Sequence, residues 1–248
     1  MCKALLSKLA DFDKVQIPRC PIPSDEESNS GIRLLCLSDA AHHAGGAAVY
    51  AGSGRVVELF VVSIQVKDHA WTIPRNELSA ILLMAELAFI CKRALGSRVR
   101  EIIYATDSTI ALAWCHNHQL KLRVWTHSSV ETILRLIEWT VYSGSILLYH
   151  IDTKINIADI LTKPREVAMS DVSMGSHWQD GFPWMKLSTA SMPIHPYKAI
   201  TVPRELETDM SKECFADPTF LDLRSVNWVT PVCTQTNPRQ TNPRHDKH

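Results

Sequence analysis

Two short apolar segments, IRLLCLSD and EIIYATD, each end in an aspartate, at Asp39 and Asp107. Their Leu, Ile, Cys and Tyr content predicts two strands that are neighbours at the centre of a sheet. Both carboxylates would then emerge at the same edge of that sheet and lie close together. Carboxylates that share a cleft repel each other unless protons or cations neutralise them. A fold of this chain therefore has to accommodate concentrated negative charge at one sheet edge.

The order of the elements, βββαβααβα, predicts an α/β fold with a mixed, five-stranded sheet flanked by helices. Strands at residues 32–39, about 47–50 and 58–65, joined by short turns, indicate an antiparallel meander. A helix from Pro74 to about Ala94 then leads to a strand at 100–106, and such a crossover favours parallel pairing. The series ends with helices at 107–116 and 124–142, a strand at 145–151 and a short helix at 156–162.

Changes in composition along the chain predict one domain with flanking segments. Residues 1–30 read as a linker with a short amphipathic helix, residues 31–165 as the domain, residues 166–190 as a Trp-rich extension and residues 191–248 as a disordered tail. The tail contains QTNPR twice in tandem, which is too short for a repeat fold. Trp178 and Trp184 in the extension either fold back onto the domain as a latch or lie exposed in a loop, and both alternatives stay open.

The charge balance and the cysteine spacing exclude several classes of protein. The 26 basic and 26 acidic residues balance, so no net field indicates a polyanionic partner. Between residues 31 and 165, however, 14 Lys and Arg stand against 11 Asp and Glu, and bound divalent cations would make this stretch positive. The seven cysteines show no zinc-finger spacing, and neither a signal peptide nor a long apolar run is present. We expect an intracellular protein without a membrane span.

Two further acids complete a set of four candidate catalytic and metal-binding residues. Glu77 lies in WTIPRNELSAILLMAEL and Asp159 in HIDTKINIADILTKP. Each acid also has an ordinary alternative: a turn residue at Asp39, a helix-dipole partner in the first turn at Glu77, an N-cap made by Asp107 and Ser108 together, and half of a capping box at Asp159. Together, four carboxylates without a Cys or His cluster favour Mg²⁺ or Mn²⁺ over zinc or copper. Two such ions can support in-line hydrolysis of a phosphodiester.

The chain resembles the ribonuclease H domain of retrotransposon polyproteins, particularly those of the BEL/Pao group. The matching segments occur in the same order: LSDAAHHAGGAAVY, TIPRNELSAILLMAEL, YATDSTIALAW and HIDTKINIADILTKP. With IPRC upstream and HWQDGFPW downstream, the resemblance covers about residues 16–186. Two positions depart from the group, Ile157 where proline is usual and Asn76 where leucine is usual.

This resemblance implies a ribonuclease H-like fold and a metal-dependent endoribonuclease that cuts the RNA strand of RNA:DNA hybrids during reverse transcription. It makes Asp39, Glu77, Asp107 and Asp159 the catalytic residues and the ligands of two Mg²⁺ or Mn²⁺ ions. Many enzymes of the wider fold carry a histidine in the loop before the last helix. Here that loop is DTKIN, where Lys154 is the nearest cationic substitute.

Binding of a hybrid would use contacts with phosphates and 2′-hydroxyls, and indoles could stack on bases. The same residue types often form a solvated basic face or, for Trp in apolar patterns, part of the core. The candidates for nucleic-acid contacts are Arg75, Asn76, Arg98, Arg100, Lys121, Arg123 and Lys154, with Trp71, Trp114 and Trp125 as stacking surfaces.

Two other functions stay open. The balanced net charge and the missing loop histidine favour a catalytically inactive or co-opted remnant that binds nucleic acid or protein. A two-metal nuclease acting on DNA is also compatible, since one fold hosts several chemistries. The chain contains no polymerase, protease or integrase motif, so we expect a polyprotein fragment whose partners are an upstream reverse transcriptase and a downstream integrase.

Overall fold

The computed structural model describes residues 31–53, 56–66, 71–116, 122, 124–140, 148–163, 169–172 and 175–197. The elements are β1 (Ile32–Ala40), β2 (Ala44–Ser53), β3 (Val56–Val66), α1 (Ile73–Leu95), β4 (Val99–Thr106), α2 (Thr109–His116), α3 (Val124–Thr140), β5 (Leu148–Ile151), α4 (Asp159–Thr162), α5 (Met169–Val172), α6 (His177–Asp180) and β6 (Ile194–Pro196). The predicted N-terminal helix, Lys121, Arg123 and the QTNPR repeat lie outside the described residues.

The elements form one mixed sheet with helices against it, as predicted, in the strand order β3-β2-β1-β4-β5-β6. β1, β2 and β3 are an antiparallel meander, and β4 and β5 join them in parallel. The sheet has one strand more than the five predicted, because β6 pairs antiparallel with β5. This mixed α/β arrangement is consistent with a ribonuclease H-like fold.

β1 and β4 are neighbours at the centre of the sheet, which confirms the prediction made from their apolar sequences. They run parallel, and their register pairs Ser38 with Thr106. Adjacent strands lie about 4.8 Å apart. Asp39 and Asp107 each follow one of these paired residues, so the backbone delivers both to the same sheet edge.

Both faces of the sheet are buried, and β1 contributes to both through the alternation of its side chains. Leu34 and Cys36 belong to a core that includes the apolar side of α1, α2 and α3. Leu35 and Leu37 belong to a second core on the opposite face. Burial on both faces explains why residues 34–37 of β1, LLCL, are all apolar.

The Trp-rich extension supplies part of the second core, so the structure favours the latch over the exposed loop. Trp178 and Met185 are buried there, as are Met192 and Ile194 just beyond the predicted extension. The Tyr50 hydroxyl donates to the Trp178 carbonyl over 2.8 Å. In the part of the chain that the structure covers, no helix has the length and apolar character needed to cross a membrane.

Candidate active site

Asp39 and Asp107 occupy the sheet edge described above, and α4 closes over it from the second face. Asp39 pairs in register with Gly46 on β2. A Cβ built on Gly46 would stand 2.7 Å from Leu161 of α4, so only glycine allows this close approach. The approach brings Thr162, the residue after Leu161, to Asp39, and the Thr162 hydroxyl donates to Asp39 Oδ2.

The environment of Asp39 disfavours its charged form. Only 9% of the residue is exposed, and burial is the main cause that raises its pKa from 3.8 to about 6. The hydrogen bond from Thr162 opposes this shift, whereas the neighbouring carboxylates of Asp107 and Asp159 add to it by repulsion. Three of the four predicted acids are therefore close enough to interact electrostatically.

Glu77 reaches the same edge from α1. Its Oε2 accepts a hydrogen bond of 2.5 Å from Ser108 Oγ, and Ser108 directly follows Asp107. Because α1 begins at Ile73, Glu77 lies beyond the first helical turn, contrary to the helix-dipole interpretation of this residue. The cap of α2 comes from Ser108, whose Oγ accepts from the Ala111 N–H over 3.1 Å.

Asn156, in the turn before α4, links the two strand ends. Its Nδ2 donates to the Ser38 carbonyl over 3.0 Å and to Asp107 Oδ1 over 3.3 Å. Its Oδ1 accepts from the Ala158 N–H over 3.2 Å. One buried amide therefore contacts β1, the end of β4 and the start of α4.

Asp159 begins α4 and forms an ion pair with Lys163, the residue directly after that helix. Lys163 Nζ lies 2.7 Å from Asp159 Oδ1 and 2.9 Å from Oδ2. Asp152, the other acid of the segment, is exposed and accepts from the Lys154 N–H over 2.9 Å, which makes it a local cap. The electrostatic interaction with Asp39 involves Asp159 and does not extend to Asp152.

Residues 1–108 match a family model described as a Pao retrotransposon-like RNaseH-like domain. This segment is a Pao-type RNase H-like region. The match contains Asp39, Glu77 and Asp107 and ends directly after Asp107. The place of Asp159 at the site therefore rests on the geometry and electrostatics above. No curated protein matches the chain significantly.

The carboxylates of the Pao-type region and Asp159 suit a hard divalent cation in their chemistry. All offer charged oxygen, and the repulsion felt by Asp39 is the kind that a bound cation relieves. In the described residues, however, no group of three or more His, Cys, Asp or Glu is already gathered closely enough to hold an ion.

Arg75 and Asn76, two of the candidates for nucleic-acid contacts, have buried side chains. The Arg75 guanidinium is buried between the rings of Trp71 and Trp125, 4.3 and 4.4 Å from their centroids. Asn76 is fully buried, and its Nδ2 donates to the carbonyls of Ala41 and His42 over 3.0 and 3.2 Å. Both residues fix the start of α1 next to Glu77, and their contact with nucleic acid stays a prediction.

Two other basic candidates of the Pao-type region lie far from its carboxylates. Arg98 and Arg100 are exposed near the start of β4, whereas Asp107 follows its end. At the rise of an extended strand, Arg100 is separated from Asp107 by about 23 Å, and Arg98 by more. Lys154 is exposed in the loop before α4, and Trp114 is buried in the first core.

Sequence reasoning missed four residues that organise the site: Ser108 as a partner of Glu77, Asn156 as a partner of Asp107, Thr162 as a partner of Asp39 and Lys163 as a partner of Asp159. Only the last had a local signal, since Asp and Lys four positions apart commonly pair on a helix. The Asn156–Asp107 and Thr162–Asp39 bonds join residues 49 and 123 positions apart. No spacing rule along the chain predicts such contacts.

Proposed function

We propose that the domain is a ribonuclease H that hydrolyses the RNA strand of RNA:DNA hybrids. Two divalent cations, Mg²⁺ or Mn²⁺, would be held by Asp39, Glu77, Asp107 and Asp159. When bound, such ions activate a water and stabilise the leaving oxygen of a phosphodiester. The match to a retrotransposon family supports a nucleic-acid substrate of this class.

The observation that carries the proposal is the convergence of carboxylates at one sheet edge. The register of β1 and β4 brings Asp39 and Asp107 side by side, and α4 adds Asp159. The uncharged partners Ser108, Thr162 and Asn156 hold the acids at this edge. Like charges gathered at one edge destabilise a fold, so their concentration favours a functional role over a structural one.

The test is cleavage of a labelled RNA strand within an RNA:DNA hybrid by the full chain, with Mg²⁺, Mn²⁺ or a chelator. Asp107→Asn should abolish metal-dependent cleavage, because it removes a charged ligand while preserving shape. Asp152→Asn is the matched control, since this exposed acid only caps a loop. Thermal unfolding with and without Mg²⁺ provides a reading that does not depend on activity, because a bound ion stabilises the folded state.

The outcomes separate three functions. Metal-dependent cutting of the hybrid, lost in Asp107→Asn and kept in Asp152→Asn, supports the ribonuclease. Cutting of double-stranded DNA with little action on the hybrid supports a DNA nuclease instead. A folded protein that neither cuts nor gains stability with Mg²⁺ contradicts the two-metal proposal.

A catalytically inactive or co-opted binding domain is the second candidate. The specific observations in its favour are the Lys163 ammonium on Asp159 and the absence, within the described residues, of a preassembled metal-binding group. This candidate predicts hybrid binding in a gel-shift assay that is the same with Mg²⁺ or chelator. It also predicts that Asp107→Asn leaves binding intact.

We further propose that the domain works inside the cell, within a polyprotein that also carries a reverse transcriptase and an integrase. The family match to a retrotransposon domain supports this context. A nuclease that removes RNA from a hybrid acts on the product of RNA-templated DNA synthesis, so a polymerase is the natural partner.

A further inference from the structure

Asn156 contacts three parts of the candidate site from one side chain that is only 3% exposed. Its Nδ2 donates to the carbonyl of Ser38, the residue before Asp39, and to the Asp107 carboxylate. Its Oδ1 accepts from the Ala158 N–H, and its own carbonyl accepts from the Asp159 N–H over 3.1 Å. The elements that supply three of the four acids therefore meet at this residue.

We propose that Asn156 is a positioning residue that sets the Asp107 carboxylate against the end of β1 and orients the turn that carries Asp159. This inference rests on the proposed function, because it assigns Asn156 to the same site. An amide suits the position since it donates to a carboxylate and accepts from a backbone N–H at once. A hydrogen bond to an ionised partner is stronger than a neutral one and holds that partner's rotamer.

The simpler alternative is that Asn156 only stabilises the turn before α4. Asn and Asp both accept from a backbone N–H two residues on, and Ser does so more weakly. A turn role therefore predicts that Asn156→Asp is tolerated at least as well as Asn156→Ser. The positioning role predicts the opposite order, because Asp would place a second carboxylate against Asp107 where the amide donor was.

The discriminating experiment is urea unfolding of the full chain in chelator, with Asn156→Ser and Asn156→Asp each made in the wild-type and Asp107→Asn backgrounds. We expect Asn156→Asp to raise the unfolding equilibrium constant about tenfold more than Asn156→Ser, the size of one hydrogen bond to a charged group. In the Asp107→Asn background most of that excess should disappear, since an amide there can donate to the new carboxylate. An Asn156→Asp protein as stable as wild type, or an excess that Asp107→Asn leaves unchanged, would overturn the positioning role.

Hybrid cleavage supplies a second reading that a turn role would not move. We expect Asn156→Ser to lower kcat about 10- to 100-fold with little change in KM, as for other groups that orient a metal-binding side chain. If wild type cleaves and Asn156→Ser has the wild-type kcat, the positioning role fails while the proposed function stands. If wild type does not cleave, the proposed function fails, and the coupling measured in chelator alone decides whether Asn156 orients Asp107.

Discussion

Asp39 is a carboxyl group that folding makes harder to ionise. Its pKa rises from 3.8 to about 6, chiefly through burial, so the folded state binds a proton more tightly than the unfolded chain. The stabilising effect of that proton is complete below about pH 4 and is lost as the pH rises through about 6. At pH 7.5 the ionised Asp39 therefore destabilises the fold, by on the order of 2 to 3 kcal/mol.

Asp39→Asn should remove this electrostatic penalty. We expect the free energy of unfolding in chelator to increase by about 1 to 2 kcal/mol at pH 7.5 and to change little at pH 4. Urea unfolding at both pH values measures the effect, with Asp152→Asn as an exposed control. An equal change at both pH values would show that the effect does not come from ionisation. The proposed cleavage should be lost in the same variant.

Asp159 and Asp152 offer a matched pair for identifying the fourth ligand. Asp159 interacts electrostatically with Asp39, whereas Asp152 caps a loop. We expect Asp159→Asn to reduce hybrid cleavage by more than the roughly 10- to 100-fold lost with an outer partner of a metal ligand. Asp152→Asn should stay within about twofold of wild type, since surface changes away from such features have small effects. The reverse ranking would assign the ligand to Asp152.

The start of α1 is the element whose position matters most for Glu77. Asn76 attaches it to the β1–β2 turn through two carbonyls, and Arg75 attaches it to α3 through Trp125. Both side chains are buried, so their contacts hold the backbone directly before Glu77. A helix anchored in this way keeps Glu77 within reach of Ser108.

Asn76→Ala should therefore destabilise the protein although it improves intrinsic helix propensity. The substitution removes two hydrogen bonds between α1 and the turn, each worth about 0.5 to 1.5 kcal/mol. Thermal or urea unfolding measures the loss. Arg135→Ala, at an exposed position of α3, is the control and should stay within about 0.5 kcal/mol of wild type. Equal stability of the two variants would contradict the anchoring role of Asn76.

On the scale of the whole molecule, the second face of the sheet is covered largely by residues after α4. Buried side chains from this stretch pack against Leu35, Leu37 and Ile103: Trp178, Met185, Met192 and Ile194. Hydrogen bonds also attach this stretch to a salt bridge between Arg33 of β1 and Glu101 of β4. Thr189 donates to Glu101, and Arg33 donates to the Leu187 carbonyl. The extension is thus part of the domain's core.

A chain ending at residue 165 should fail to fold cooperatively. Each of the four buried side chains contributes about 1.5 to 3 kcal/mol by leaving water, and their sum approaches the 5 to 15 kcal/mol that stabilises a typical domain. A chain ending at Tyr197 is the matched comparison and should unfold near the wild-type temperature. Circular dichroism melting of both measures this. A cooperative transition at the wild-type temperature for the shorter chain would show that the extension is dispensable.

Local sequence was sufficient for the order of the elements, the central pairing of β1 with β4 and the arrival of Asp39 and Asp107 at one edge. Each follows from side-chain periodicity and from the direction in which parallel strands end. The sixth strand was not predicted, because Ile194–Pro196 has no periodicity of its own and becomes a strand only by pairing with β5. The burial of Arg75 could not be read from the local sequence for a related reason: Trp125, fifty positions away, packs against its guanidinium.

In the candidate site, too, some features could be predicted from the sequence and others depend on the tertiary structure. The four acids could be proposed from their contexts, because a charge directly after an apolar strand or at the start of a helix is visible in the text. The hydrogen bonds of Asn156 with Asp107 and of Thr162 with Asp39 could be known only from the folded chain. They join residues that are distant in sequence and adjacent only after the strands pair and α4 packs against Gly46, so their physical cause is long-range packing.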